Sequence, residues 1–226
     1  MNEYPPKTST SGRWLKLLLK IAVTAACLWY VSGKIDFTKA GIALGSANWF
    51  YLFLALICFV ISKLISAIRL NIYFKNIGIE LPGSQNMKLY WLGMFYDLFL
   101  PGSIGGDAYK VVLLTKRFGV PYKKTGAAVL LDRLSGVAGL GLILAVYGAF
   151  VLKNDFYSVL VIAGAVIAVI ILFYIVKSWL KDFTQSFFPT LLLGLLVQAF
   201  QVVCVYLIMA ALDIPAHAPA YIFIFL

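Results

Sequence analysis

The stretch "PGSIGGDAYK", Pro101 to Lys110, sets Asp107 directly behind the glycine pair Gly105-Gly106 and three residues ahead of Lys110. Some 25 residues later, Asp132 and Arg133 interrupt the apolar run "GAAVLLDRLSGVAGLGLILAVYGAF". Asp97 and Lys63 are likewise embedded in apolar sequence. Glycines that run into a helix start leave backbone N–H groups exposed, and such a terminus favours an anion, for example a lipid phosphate. Asp107 could instead cap the helix with its own carboxylate and fill that place itself. The motif is not a nucleotide-binding loop, because the lysine and Ser/Thr of a P-loop are missing.

The "DR" pair has its own geometry. Adjacent helical residues point about 100° apart, so Asp132 and Arg133 should each meet a different neighbour. Asp132, Ser135, Gly136 and Gly139 fall on one helical face by their spacing, and small side chains there let another backbone approach closely. Asp132 is either part of a polar cavity or a structural tie between helices. Arg133 and Lys63 either face that cavity or snorkel toward the membrane interface. Asp97 requires a cation, and Arg133, Lys63 and Arg69 are the candidates.

The elements that must position these groups are membrane helices. The chain of 226 residues is 62% hydrophobic and only 12% charged, against about 25% charged in a soluble domain. Mean hydropathy is +0.94. A water-soluble fold has too little polar surface here to coat its core. Runs of about 20 apolar residues suffice to cross a bilayer, and they occur at roughly 15–33, 48–70, 125–151, 157–177 and 189–212. The expected fold is all-α: a polytopic transmembrane helix bundle, with residues 1–14 as a cytoplasmic tail. The last apolar stretch, Pro219 to Leu226, is too short to cross; either it is a terminal stub or, the expectation preferred here, the chain is incomplete at its C-terminus.

The basic residues orient the bundle. Lys7, Arg13, Lys16, Lys20, Arg69, Lys75, Lys88, Lys110, Lys116, Arg117, Lys123, Lys124, Lys177 and Lys181 fall on one side, and only Lys34, Lys39 and Lys153 on the other. The N-terminus is therefore expected in the cytoplasm. The loops flanking residues 89–109 are both basic, so a single crossing between them would strand one on the wrong side. The segment at about 87–109 is expected to be re-entrant, an apolar arm, a Pro-Gly turn and a glycine loop. Non-helical backbone at that depth survives only against protein or a water-filled cavity. A short amphipathic helix on the surface is the other reading. With this orientation Lys63, Asp97, Asp107, Asp132 and Arg133 all lie in the cytoplasmic half, which points to a polar cavity open to the inner leaflet.

Other chemistry finds little footing. Cys27, Cys58 and Cys204 sit singly in separate apolar runs without disulfide or metal spacing, and His217 lies alone in "DIPAHAPAY". No HExxH, Cys-x-x-Cys or nucleophile-elbow pattern occurs, so no catalytic residue, metal or cofactor is expected. The net charge of +10 suits anionic lipid headgroups rather than nucleic acid.

The pair "LPGSIGGDAYKVVLLTKR" and "KKTGAAVLLDRLSGVAGLGLI" is similar to the integral membrane family typified by the transmembrane region of lysylphosphatidylglycerol synthase, its flippase-like part. The matching positions are Pro101-Gly102, Gly105-Gly106-Asp107 and Asp132-Arg133, over roughly residues 10 to 226. The resemblance implies a bacterial or archaeal cytoplasmic-membrane protein of about eight hydrophobic segments that moves a polar or aminoacylated lipid between leaflets. It implies a headgroup or translocation site at Gly105, Gly106, Asp107, Lys110, Asp132 and Arg133, to which the depth argument above adds Lys63 and Asp97. Lys110 stands where family members often carry arginine, which keeps the charge and loses the planar fork. Members also continue into a second Pro/Gly-rich stretch bearing an acid, beyond the last residue here. The alternative role is the membrane subunit of a phosphatidylglycerol lysyltransferase-type system, with a soluble acyltransferase as partner. Nothing in these residues performs acyl transfer.

Overall fold

The computed structural model describes residues 29–30, 32–33, 36–99, 105–152 and 154–214. The tail 1–14, most of the first expected span at 15–33, the Pro101-Gly102 turn, His217 and the stretch Pro219 to Leu226 lie outside the described residues. The chain divides into two units, Met1–Ser46 and Ala47–Leu226. In the first, α1 spans Phe37–Ser46.

The second unit is built on four helices long and apolar enough to cross a membrane. They are α2 (Trp49–Asn76), α5 (Tyr122–Leu152), α6 (Asp155–Trp179) and α7 (Phe187–Ala211). A 3-10 turn, Lys181–Ser186, leads into α7. These are the spans expected at 48–70, 125–151, 157–177 and 189–212. Two of them start where an asparagine supplies the missing hydrogen bonds of a first turn. Asn48 accepts from the Phe50 N–H, and Asn154 from those of Phe156 and Tyr157. The outward face of α6 carries exposed Phe156, Val159, Ile167, Ile170 and Tyr174. Such a face would be an aggregation liability in water, whereas the hydrocarbon of a bilayer accommodates it without penalty.

Between α2 and α5 lie two shorter helices, α3 (Gly83–Phe99) and α4 (Gly105–Phe118). At 17 and 14 residues they measure roughly 26 and 21 Å, short of a 30 Å hydrocarbon core. They fold back on each other as a hairpin. Near its open end Lys88 and Arg117 share a groove. Near its tip Gly106 lies against the Gly93 backbone and Asp97 bonds the Gly106 N–H. The chain thus enters and leaves one end of the bundle, which is why both flanking loops can be basic. Gly105 and Gly106 are not a loop, as the sequence suggested, but the first turn of α4.

That shared end is closed by one core. Phe74, Ile79, Leu81, Leu114, Val176, Phe183 and Phe187 pack together, joining α2, the hairpin, α6 and the start of α7. Lys124 pairs with Asp182 at 2.7 Å across it. At the opposite end the Asn48 N–H donates to the Ala211 carbonyl at 2.8 Å. Lys75, Lys88, Lys116, Arg117, Lys123, Lys124, Lys177 and Lys181 cluster at the first end by their positions along these helices. Arg69 and Lys110 do not belong with them: both are buried in the bundle, 5% exposed each, because each neutralises an aspartate there.

Close backbone approach holds the parts together. A Cβ on Gly139 would come within 2.9 Å of the Gly194 carbonyl carbon, and one on Gly194 within 2.8 Å of the Ser135 oxygen. The small face of α5 therefore meets the α7 backbone. A Cβ on Gly106 would fall 2.0 Å from the Gly93 oxygen, and backbone cannot yield as a side-chain tip can. Gly106→Ala should lower stability by about 1–3 kcal/mol through overpacking, read as thermal unfolding in detergent. Gly164→Ala, with open space around it, should leave unfolding unchanged.

Candidate functional site

The hairpin tip and the middle of α5 bring six charged side chains together. Asp97 from α3, Asp107 and Lys110 from α4 and Arg133 from α5 form one linked set of ion pairs, and Asp132 from α5 with Arg69 from α2 forms a separate pair beside it. Three are acids and three are bases, so the group of six is neutral. In a low-dielectric interior an unpaired charge is expensive, and pairing offsets the cost for those of the six that are withdrawn from solvent.

The group has a buried part and an open part. Arg69 Nε donates to Asp132 Oδ1 at 2.8 Å, with the two side chains 6% and 14% exposed. The guanidinium fits between helices because Gly136 and Gly194 leave it room: a Cβ on either would lie 3.3–3.4 Å from Nη1. Nearby, the Tyr73 hydroxyl donates to Thr190 at 2.7 Å, and the Asn86 amide to the Ala67 carbonyl at 2.7 Å. The last bond ties the hairpin to α2. Lys110 Nζ bonds Asp107 Oδ1 at 3.1 Å and sits 5.2 Å from the Tyr90 ring centre. Its stem crosses Gly93, where a Cβ would meet Cε at 2.3 Å.

The open part is Arg133. Its Nε bonds Asp107 Oδ2, and its Nη2 stands 3.9 Å from Asp97 Oδ2. The side chain is 45% exposed and lines a groove of about 670 Å³ between α4 and α5. Ala108, Val111, Val112, Val129 and Leu130 form the groove's apolar walls, with Asp107 and Arg133 at one end. Arg133 is eleven residues from the start of α5 at Tyr122, roughly 16 Å along the helix. The charges therefore lie at the deep end of the groove, and the apolar walls lead toward the basic end of the bundle.

The sequence expectations divide accordingly. Asp132 and Arg133 do face different neighbours, Arg69 and the hairpin tip. Asp97 takes Arg133 as its cation. The Gly106 N–H, expected to be offered to an anion, is already bonded at 3.0 Å by Asp97 Oδ1. Asp107 does not cap; its carboxylate serves Lys110 and Arg133. Gly106 thus lies against the Gly93 backbone with its N–H taken by Asp97. Lys63 joins none of these ion pairs among the described residues. It lies with Nζ 4.9 Å from the Phe59 ring centre, six residues or roughly 9 Å along α2 from Arg69. Arg69 is buried against Asp132 rather than in the loop after the second span, and Gly93 and Gly194, small residues within apolar runs, mark close helix contacts.

Residues 17–226 match the family model described as "Lysylphosphatidylglycerol synthase TM region". The chain is 27% identical over 164 residues to a UPF0104 membrane protein of Pyrococcus horikoshii, an alignment covering 71% of this chain and 48% of that protein. A UPF0104 membrane protein of Archaeoglobus fulgidus is 26% identical over 118 residues, 52% of this chain and 34% of the relative. The chain thus spans half or less of the length of these relatives. No solved structure matches it significantly.

Breaking the buried pair from one side strands the other charge. Arg69→Gln or Asp132→Asn should each cost about 3–5 kcal/mol. In a double-mutant cycle followed by denaturant unfolding in detergent, the double variant should lose much less than the sum.

Proposed function

Because the chain belongs to the lysylphosphatidylglycerol synthase transmembrane-region family, we propose that it binds the headgroup of a phospholipid in the α4–α5 groove and passes it between the leaflets of the cytoplasmic membrane. The observation that carries this reading is Arg133, half-exposed at the deep end of an apolar-walled groove and paired with two carboxylates. A phosphate entering the groove would compete with Asp107 and Asp97 for the guanidinium, and charge-assisted bonds of this kind are the strong ones. An ammonium on the headgroup, as in an aminoacylated phosphatidylglycerol, would be received by the carboxylates so released. The acyl tails would stay in the hydrocarbon beside α4 and α5. Lys110 and Asp107 would remain paired, and Arg69–Asp132 would hold α5 in register behind the site.

In this reading the basic end of the bundle faces the cytoplasm, with the N-terminus on the same side. The headgroup would leave the inner leaflet there, and the hairpin tip would yield to let it pass. The family description also favours a second reading, a membrane subunit that presents acceptor lipid to a soluble acyltransferase encoded elsewhere. That reading requires lipid binding without movement, and modification only when the partner is added.

Leaflet exchange of labelled phosphatidylglycerol and lysyl-phosphatidylglycerol, measured in liposomes holding the complete reading frame, tests the proposal. Arg133→Gln should slow exchange by about tenfold or more, the value of one charge-assisted bond, and Asp107→Asn should also slow it. Wild-type rates in folded variants would remove Arg133 and Asp107 from the route.

A further inference from the structure

A second groove lies on another face of the hairpin. Leu81, Gln85, Lys88, Leu89 and Leu92 line it from α3 and its approach, and Leu113, Leu114 and Arg117 from α4. Its volume is about 280 Å³. Leu81, Leu89 and Leu114 make a buried floor, at 6%, 7% and 1% exposure. Leu92 and Leu113 stand at its sides, more than a third exposed.

Charge and order distinguish this groove from the first. Lys88 and Arg117 are exposed, and among the described residues neither is paired with an acid. Arg117 only touches the neighbouring Phe118 ring, at 5.5 Å. Glu80 precedes Leu81 in the chain but is not among the lining residues. Each cation has a leucine one helical turn further in: Leu92 follows Lys88 by four residues, and Leu113 precedes Arg117 by four. The two positive groups thus mark the rim at the open end of the hairpin, and the leucines lie toward its tip. In the α4–α5 groove the order is reversed, with charges at depth.

We infer that the Lys88–Arg117 groove is a binding site for an intact anionic phospholipid, with its phosphate at the two cations and an acyl chain along Leu92, Leu113 and the leucine floor. Rim cations above an apolar slot are the arrangement of a phospholipid held in place at the membrane surface. A free phosphate would leave the leucines uncovered, and a neutral lipid would leave the cations unused. The site is independent of translocation. It holds a lipid against the hairpin without drawing the headgroup inward.

The test uses the complete reading frame in phosphatidylcholine vesicles carrying a trace of photoactivatable phosphatidylglycerol, with crosslinks mapped by mass spectrometry. Crosslinks are expected on Leu81–Leu92 and Leu113–Arg117, with a photoactivatable phosphatidylcholine labelling far less. The pair Lys88→Gln and Arg117→Gln should weaken apparent affinity about 30-fold, from two surface cations. Lys88→Arg with Arg117→Lys should restore it and guards against misfolding. Arg133→Gln should leave this labelling intact even where it stops leaflet exchange, so the two sites fail separately. Equal labelling by phosphatidylcholine, displacement by millimolar inorganic phosphate, or unchanged labelling in the glutamine pair would each overturn the inference.

Discussion

Neutrality of charge in a low-dielectric interior governs this structure. Arg69, Lys110, Asp107 and Asp132 lie largely buried, where an isolated ion would cost several kcal/mol, and with Asp97 and the more exposed Arg133 each is placed so that another cancels it. Asp132 on α5 fixes Arg69 on α2. Asp107 fixes Lys110 on its own helix and reaches Arg133 on α5. Asp97 turns back to bond the first turn of α4. The hairpin tip is therefore held to the spanning helices by electrostatics, whereas its open end is held by the packing of Leu81, Leu89 and Leu114. These two kinds of attachment respond differently to a charged ligand. Leucine packing is indifferent to a phosphate; the Arg133 bonds are not.

Glycine makes this placement physically available. The guanidinium of Arg69 lies close against Gly136 and Gly194, where an added Cβ would stand 3.3–3.4 Å from it. The hairpin can be tight enough to bring Asp97 to α4 only because Gly106 meets the Gly93 backbone directly. Without a hydrophobic drive between helices in lipid, close contact of this kind carries much of the association. Packing and charge pairing are thus one arrangement.

Much of this was legible in the sequence. Length and apolar composition located four spanning helices to within a few residues, because a bilayer imposes a minimum length. The alternation of basic loops predicts a segment that returns to its own side, and α3 and α4 fold back on each other as a hairpin at that place in the chain. The separation of Asp132 from Arg133 followed from helical geometry alone. Partner identity was less legible. Arg69 stood near the end of an apolar run, where a loop cation and a buried cation look alike, and only α5 opposite decides between them. The glycines before Asp107 signalled a helix start correctly, but Asp97, eight residues before Gly105, occupies the N–H that an anion would need. Lys63 lay at a plausible depth, and among the described residues it joins none of the cluster's ion pairs and lies against the Phe59 ring.

The central claim is that the groove between α4 and α5 admits polar solutes from the membrane surface. In a background with Cys27, Cys58 and Cys204 replaced, Leu130→Cys and Leu196→Cys provide the comparison. Both leucines are well exposed, at 55% and 44%; Leu130 lines the groove and Leu196 is not among its lining residues. A membrane-impermeant maleimide applied to reconstituted vesicles should modify the cysteine at 130 and leave that at 196 unmodified. Equal protection of both would mean that lipid tails fill the groove, and the account of a headgroup meeting Arg133 there would be wrong.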